Sequence, residues 1–219
     1  MLAGTTFAST VTGKVEVIGV HGVAGSSGVA LWLIPAGGTA PPPRPGVVRM
    51  LQQHKQFLPH VLAIQTGTTV DFPNLDPIFH NAFSNIDGQP FDVGLYPPGS
   101  SRRVPFHKSG IVRVFCNIHE SMSAVIVVQD TPWLAVTNEG GGFTIADVPP
   151  GEYTLHVFYE RATKPTLEGL VRTVEVGEGR VSIPALRISG TGYIAVPHLN
   201  KYGRQYPPAE EDGAYGKTR

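Results

Sequence analysis

Glycine and proline punctuate this chain along its whole length, and that punctuation constrains the fold more than any other feature. The 219 residues include 26 glycines and 20 prolines, spread between short apolar runs such as "GKVEVIGV", "GVALWLI", "GIVRVFC" and "SAVIVV". Proline removes a backbone donor and glycine costs backbone entropy inside a helix, so long helices do not thread through such a pattern. Turn residues separating apolar runs of about four to eight residues are instead the mark of many short strands. No segment keeps a helical apolar period, and the chain reads as all-β.

Several blocks follow from the same punctuation. Residues 12–35 carry two strand-like runs around the Gly/Ser-rich turn "HGVAGSSG", and "PAGGTAPPPRPG" over 35–46 is a stiff linker. A second strand-rich block occupies 47–129, and "DTPW" marks a further junction. Beyond it Phe143 and Ile145, then Tyr153, Leu155 and Val157, alternate with the period of a strand. From Pro197 onward apolar residues become sparse, which predicts a mobile tail over 197–219.

Charge and length exclude some classes of function. With 17 basic and 17 acidic side chains and no basic stripe, nucleic acid is not an expected partner. The apolar runs fall far short of the roughly 20 residues that span a bilayer, so no membrane span is expected. The start "MLAGTTFAST" has neither a basic n-region nor an apolar core, so no signal peptide is visible. A single cysteine rules out an internal disulfide and leaves the compartment open. There is no phosphate-binding glycine loop, G-x-S-x-G or H-E-x-x-H, and Asp71, Asp76, Asp92 and Glu120 form no obvious acid–base pair.

That cysteine stands in "VFCNIHESM", where Cys116, His119 and Met122 are spaced three apart between two apolar runs. A thiolate, imidazoles and a weak thioether are the donors of a blue-copper centre. A tight loop of this spacing turns its three side chains toward one point, and His80, in "FPNLDPIFHNAFS", is the candidate fourth ligand. Two other readings remain open at this point. Cys116 also fits a small core hydrophobe, or a nucleophile activated by His119, for which no orienting third group is evident. His21, His54, His60, His107, His156 and His198 are read as surface or pairing residues.

Over 47–128 these residues resemble a cupredoxin. "FLPHVLAIQTGTTVDFPNLDPIFHN" is similar to the family's first half, ending in a ligand histidine followed by Asn, and "GIVRVFCNIHESM" to its C-terminal ligand loop in the short, amicyanin-like form. The resemblance implies a Greek-key β-sandwich over 46–129. It also implies copper held by His80, Cys116 and His119 with Met122 as weak axial ligand. Asn81 would tie the two ligand loops together and hydrogen-bond near the sulfur. Two departures stand out. Phe79 replaces the glycine associated with an azurin-like extra axial carbonyl, and Glu120 and Ser121 replace a proline and an aromatic beside His119.

The flanks carry a second resemblance. "GGGFTIADVPPGEYTLHVFYE" looks like a carboxypeptidase regulatory-like, or prealbumin-like, β-sandwich, and "TGKVEVIGVHGVAGSSGVALWLI" fits the opening hairpin of one. This implies a discontinuous domain over 10–38 and 131–190 with the cupredoxin block inserted. The alternative is an N-terminal hairpin that extends the cupredoxin sheet. The combination resembles methylamine-utilisation-type cupredoxin-like proteins. It implies a non-enzymatic periplasmic carrier of one electron through a single copper ion cycling between Cu(I) and Cu(II). Its partner would be a redox protein such as a c-type cytochrome or a dehydrogenase, and its signal sequence would be absent from the residues given. The competing reading is a binding or adaptor sandwich whose copper site is a sensor or a vestige.

Overall fold

The computed structural model describes residues 8–19, 22–44, 46–194 and 197–206. Residues 1–7, which open the N-terminus read above, His21 and the tail beyond 206 lie outside the described residues. Apart from one five-residue helix, Lys164–Glu168, the regular elements described are all strands, and the protein is all-β. No helix among the described residues is long and apolar enough to cross a membrane. The chain divides into two compact units: Met1–Pro42 with Asp130–Ala195, and Pro43–Gln129 with Val196–Arg219.

In the first unit the strand Ser9–Gly19 pairs antiparallel with Gly142–Val148 and in parallel with Arg180–Ser182 and Leu186–Ser189. A second sheet runs in the order Leu134–Val136, Ala30–Pro35, Gly151–Phe158, Arg172–Val176. The alternating positions turn inward as the period requires. Phe143, Ile145, Tyr153, Leu155 and Val157 join Val11, Val15, Leu31 and Leu33 in one buried core. Gly141 permits the tight corner before Gly142–Val148. Its φ is +79°, and a Cβ there would run into the carbonyl oxygen of Val15.

The second unit places Phe91–Asp92, Phe83–Ser84, Gly110–Phe115, Ser123–Gln129 and Val61–Gln65 side by side in one sheet. A second sheet orders Ser101–Pro105, Thr69–Pro73 and Val47–Arg49. Inward residues of both sheets, among them Val70, Phe72, Val104, Val112, Val114 and Ile126, share one core with Phe57, Tyr96 and Phe106. Gly110–Phe115 and Ser123–Gln129 are in register from Gly110 opposite Val128 to Phe115 opposite Ser123. Residues 116–122 therefore form the loop at the closed end of a hairpin, held at both ends by ladder hydrogen bonds.

The stretch 197–206, whose composition predicts mobility, is hydrogen-bonded into this second unit. Asn200 caps a local turn through Tyr202 N and Arg204 N. The backbone of Lys201 donates to Asn117 Oδ1, and its ammonium pairs with Asp92 at 2.7 Å. A segment poor in apolar residues cannot build a core, but it can satisfy its polar groups on a neighbouring polar loop.

Candidate metal centre

The candidate site is assembled at the hairpin end. Cys116 N donates to Met122 O and Met122 N to His119 O, both at 3.1 Å, so residues 116–122 close on themselves as a narrow loop. Inside that loop Cys116 Sγ lies 3.6 Å from His119 Nδ1. The second imidazole arrives from another segment, with His80 Nδ1 3.9 Å from the same sulfur. The three donor atoms all fall within 4.8 Å of one another. The two rings stand nearly edge to face, with centroids 4.9 Å apart.

These separations suit a single bound metal ion. Metal–nitrogen bonds of about 2.0 Å and metal–sulfur bonds of about 2.3 Å, at trigonal or tetrahedral angles, put nitrogen and sulfur roughly 3.5–3.7 Å apart. The His119 nitrogen lies within that range and the His80 nitrogen slightly beyond it. The donor chemistry agrees, since a thiolate and two imidazoles select a late first-row metal. Cys116, His80 and Met122 are fully buried, and His119 is half-buried. Met122 shares a core with Cys116 and is bound through its backbone to both Cys116 and His119.

His80 is oriented from behind. Its backbone exchanges two hydrogen bonds with Tyr96, which anchors it to the neighbouring chain segment. Its Nε2 donates to the Asp76 carboxylate at 2.8 Å, which leaves Nδ1 as the bare nitrogen turned toward Cys116. Asp76 is itself fixed by the amides of His54 and Lys55, at 2.6 and 2.9 Å. Those two residues form the turn between Leu51–Gln53 and Gln56–Leu58, both with φ +55°. A left-handed pair of this kind makes the tight hairpin turn, and the carboxylate that receives both amides holds it there. Asn74 completes the support, accepting from Asp76 N and donating to Ile78 O.

Burial pushes the Cys116 thiol up from its ordinary range, and the backbone amides of Ile118, Asn81 and His119 offset part of that rise. Burial thus favours the neutral thiol, and a bound cation would supply the charge balance a thiolate needs there.

Asn81 reaches Cys116 through its backbone rather than its side chain, whose amide donates to Asp92 Oδ1 and Gly94 O. The contact near the sulfur expected of Asn81 is made by its main chain, and its side chain runs to 92–94. Sequence reasoning also passed over Asp76 as the partner of His80. The D-x-x-x-H spacing was the available signal, but only the fold turns both side chains toward each other.

No family model matches the chain, and no curated protein sequence matches it. Solved structures do. A copper-containing nitrite reductase from Thermus scotoductus is 31% identical over 44% of this chain, with a TM-score of 0.36, and the match spans 25% of that protein's length. A purple cupredoxin from Nitrosopumilus maritimus is 22% identical over 37% of this chain and 98% of its own, with a TM-score of 0.34. An oxidized amicyanin variant is 16% identical over 38% of this chain and 82% of its own, with a TM-score of 0.36.

Proposed function

We propose that this protein is a copper-binding, cupredoxin-like electron carrier. The observation that carries the reading is the convergence of His80 and His119, whose Nδ1 atoms lie 3.9 and 3.6 Å from Cys116 Sγ, with one ligand atom of each of the three residues within 4.8 Å, at the end of a hairpin. His80, Cys116 and His119 would hold the ion, with Met122 as the weak fourth donor. Copper bound there supplies one-electron chemistry by alternating between Cu(I) and Cu(II).

The chain's part is to keep the donors still. The hairpin ladder holds Cys116 and His119, while Asp76 and Tyr96 hold His80. A donor set that barely moves between oxidation states keeps reorganisation small. The half-buried His119 is the ligand nearest solvent, and it stands beside Ile118, which exposes an apolar side chain. That edge is the natural exit for an electron toward a redox protein such as a c-type cytochrome or a dehydrogenase, in the periplasm. A nucleophilic cysteine fits less well, because catalysis needs an accessible thiolate. Cys116 is fully buried and its thiol is pushed up.

The experiment is to add Cu(II) to the purified protein and record its visible spectrum. A strong thiolate-to-copper charge-transfer band, absent in Cys116→Ala and His80→Ala, supports the proposal. Absence of the band together with no stoichiometric copper uptake removes it and leaves the adaptor reading.

A further inference from the structure

Three residues of the segment 197–206, namely Tyr206, His198 and Lys201, contact the metal-binding loop and the strand end beside it. Tyr206 donates its phenolic O–H to the carbonyl of Cys116 at 2.8 Å. His198 Nε2 donates to the carbonyl of Glu120 at 2.8 Å, and its ring stacks on Phe115 with centroids 4.0 Å apart. The backbone N–H of Lys201 donates to the side chain of Asn117 at 3.0 Å. Residues 115, 116, 117 and 120 are thus gripped in turn, and Tyr206 and His198 lie within 3.3 Å of each other.

The same segment reaches the His80 side. Asn81 donates to one oxygen of Asp92, and the Lys201 ammonium donates to the other. Besides the Asn81 amide on the Cys116 sulfur, a second tie between the two ligand segments runs Asn81, Asp92, Lys201, Asn117, with Lys201 as the member the strap supplies. Asn81 alone makes no such tie through its side chain.

We propose that residues 197–206 are a positioning strap of the metal centre, in which Tyr206, His198 and Lys201 fix the loop 116–122 from outside and couple it to the His80 segment. This rests on the copper reading above for its spectroscopic consequences, but the mechanical part concerns the chain alone. A hydrogen bond to the carbonyl of a ligand residue limits the peptide rotation that would carry its side chain away. Outer contacts of this kind tune both ligand orientation and metal properties.

The test compares the full chain with Tyr206→Phe, Lys201→Met and a chain ending at Ile194. In the metal-free proteins, labelling of the buried Cys116 by a small aromatic disulfide reagent reports how often the loop opens. The shortened chain is expected to label roughly tenfold faster or more, with the point variants between it and the full chain. In the copper-loaded proteins, Tyr206→Phe is expected to shift the charge-transfer band and the reduction potential while the far-UV dichroism stays unchanged. Should the shortened chain fail to fold, Tyr206→Phe, which deletes one oxygen atom, carries the comparison. Equal labelling rates, or a Tyr206→Phe spectrum and potential that coincide with those of the full chain, overturn the proposal. If the full chain takes up no copper, the copper reading falls, while the labelling rates still decide whether the strap holds the loop.

Discussion

Asp76 and His80 are joined by a 2.8 Å hydrogen bond, with both side chains buried and the Asp76 carboxylate accepting from two further backbone amides. The pair sets the ring orientation of His80 and the nitrogen it offers to Cys116. It also links the candidate metal site to the turn at His54 and Lys55, so one carboxylate serves the fold and the site together.

Asp76→Asn keeps one acceptor but turns an amide donor toward N–H groups that had met oxygen. Each buried donor left unpaired costs about 1–3 kcal/mol, and lost support behind a ligand histidine lowers metal affinity by about 10- to 100-fold. Urea denaturation of the metal-free protein and a competitive copper titration check the two effects. A variant with wild-type stability and affinity would show that the contact does neither.

Met122→Leu separates packing from ligation. The swap conserves volume, so the metal-free protein should lose less than about 1.5 kcal/mol in a buried core. If the thioether is the weak axial donor, the copper-loaded variant should differ in reduction potential and in band intensity. Voltammetry of the two forms decides; identical potentials would remove Met122 from the ligand set.

The Asp92–Lys201 contact predicts how the strap responds to pH. Burial pushes the Asp92 carboxyl up, but the hydrogen bonds from Lys201, the Gly94 amide and Asn81 outweigh it and hold the group below its ordinary value. A depressed folded value means a contribution that is fully present above the unfolded value of about 3.9 and lost as pH falls through the folded one. The difference in melting temperature between the wild type and Asp92→Asn should therefore be constant from neutral pH down to about pH 5, and close in stronger acid. A gap that persists unchanged at about pH 2.5 contradicts it.

Gly141→Ala tests the first unit. The added methyl meets the Val15 carbonyl, on a residue whose amide already donates to Gly141 O, and the φ of +79° is strained for alanine. Both effects act in the folded state, so a loss of about 2 kcal/mol or more is expected. Gly177→Ala, where a methyl meets open space, is the control and should change little. Thermal melts of the two variants check it.

Much of this molecule is written locally. Short apolar runs cut by glycine and proline can satisfy their backbone groups only as strands, and the all-β class follows. The inward positions at Phe143, Ile145, Tyr153, Leu155 and Val157 follow from the period of two. The Cys116, His119 and Met122 spacing is equally local, because one loop carries all three.

Other features depend on residues far apart in sequence. The direction of the Asn81 side chain is one of them, since an amide takes whichever acceptor the fold brings within 3 Å, and here those are Asp92 and Gly94. Composition gives no hint of the strap, because polar residues that suggest mobility are also the residues that hydrogen-bond to a loop.

By itself, then, the sequence determined the strand pattern, the inward faces and the spacing of the candidate donors Cys116, His119 and Met122 on one loop, all of which depend on neighbours a few residues away. Only the tertiary structure decided that His80 Nδ1 faces Cys116 and that Asp76 stands behind it. It likewise decided that Tyr206, ninety residues further on, closes over the Cys116 carbonyl. Hydrogen bonds and metal sites are satisfied at distances of a few ångströms, and chain separation carries no information about which groups meet there until the core has brought them together.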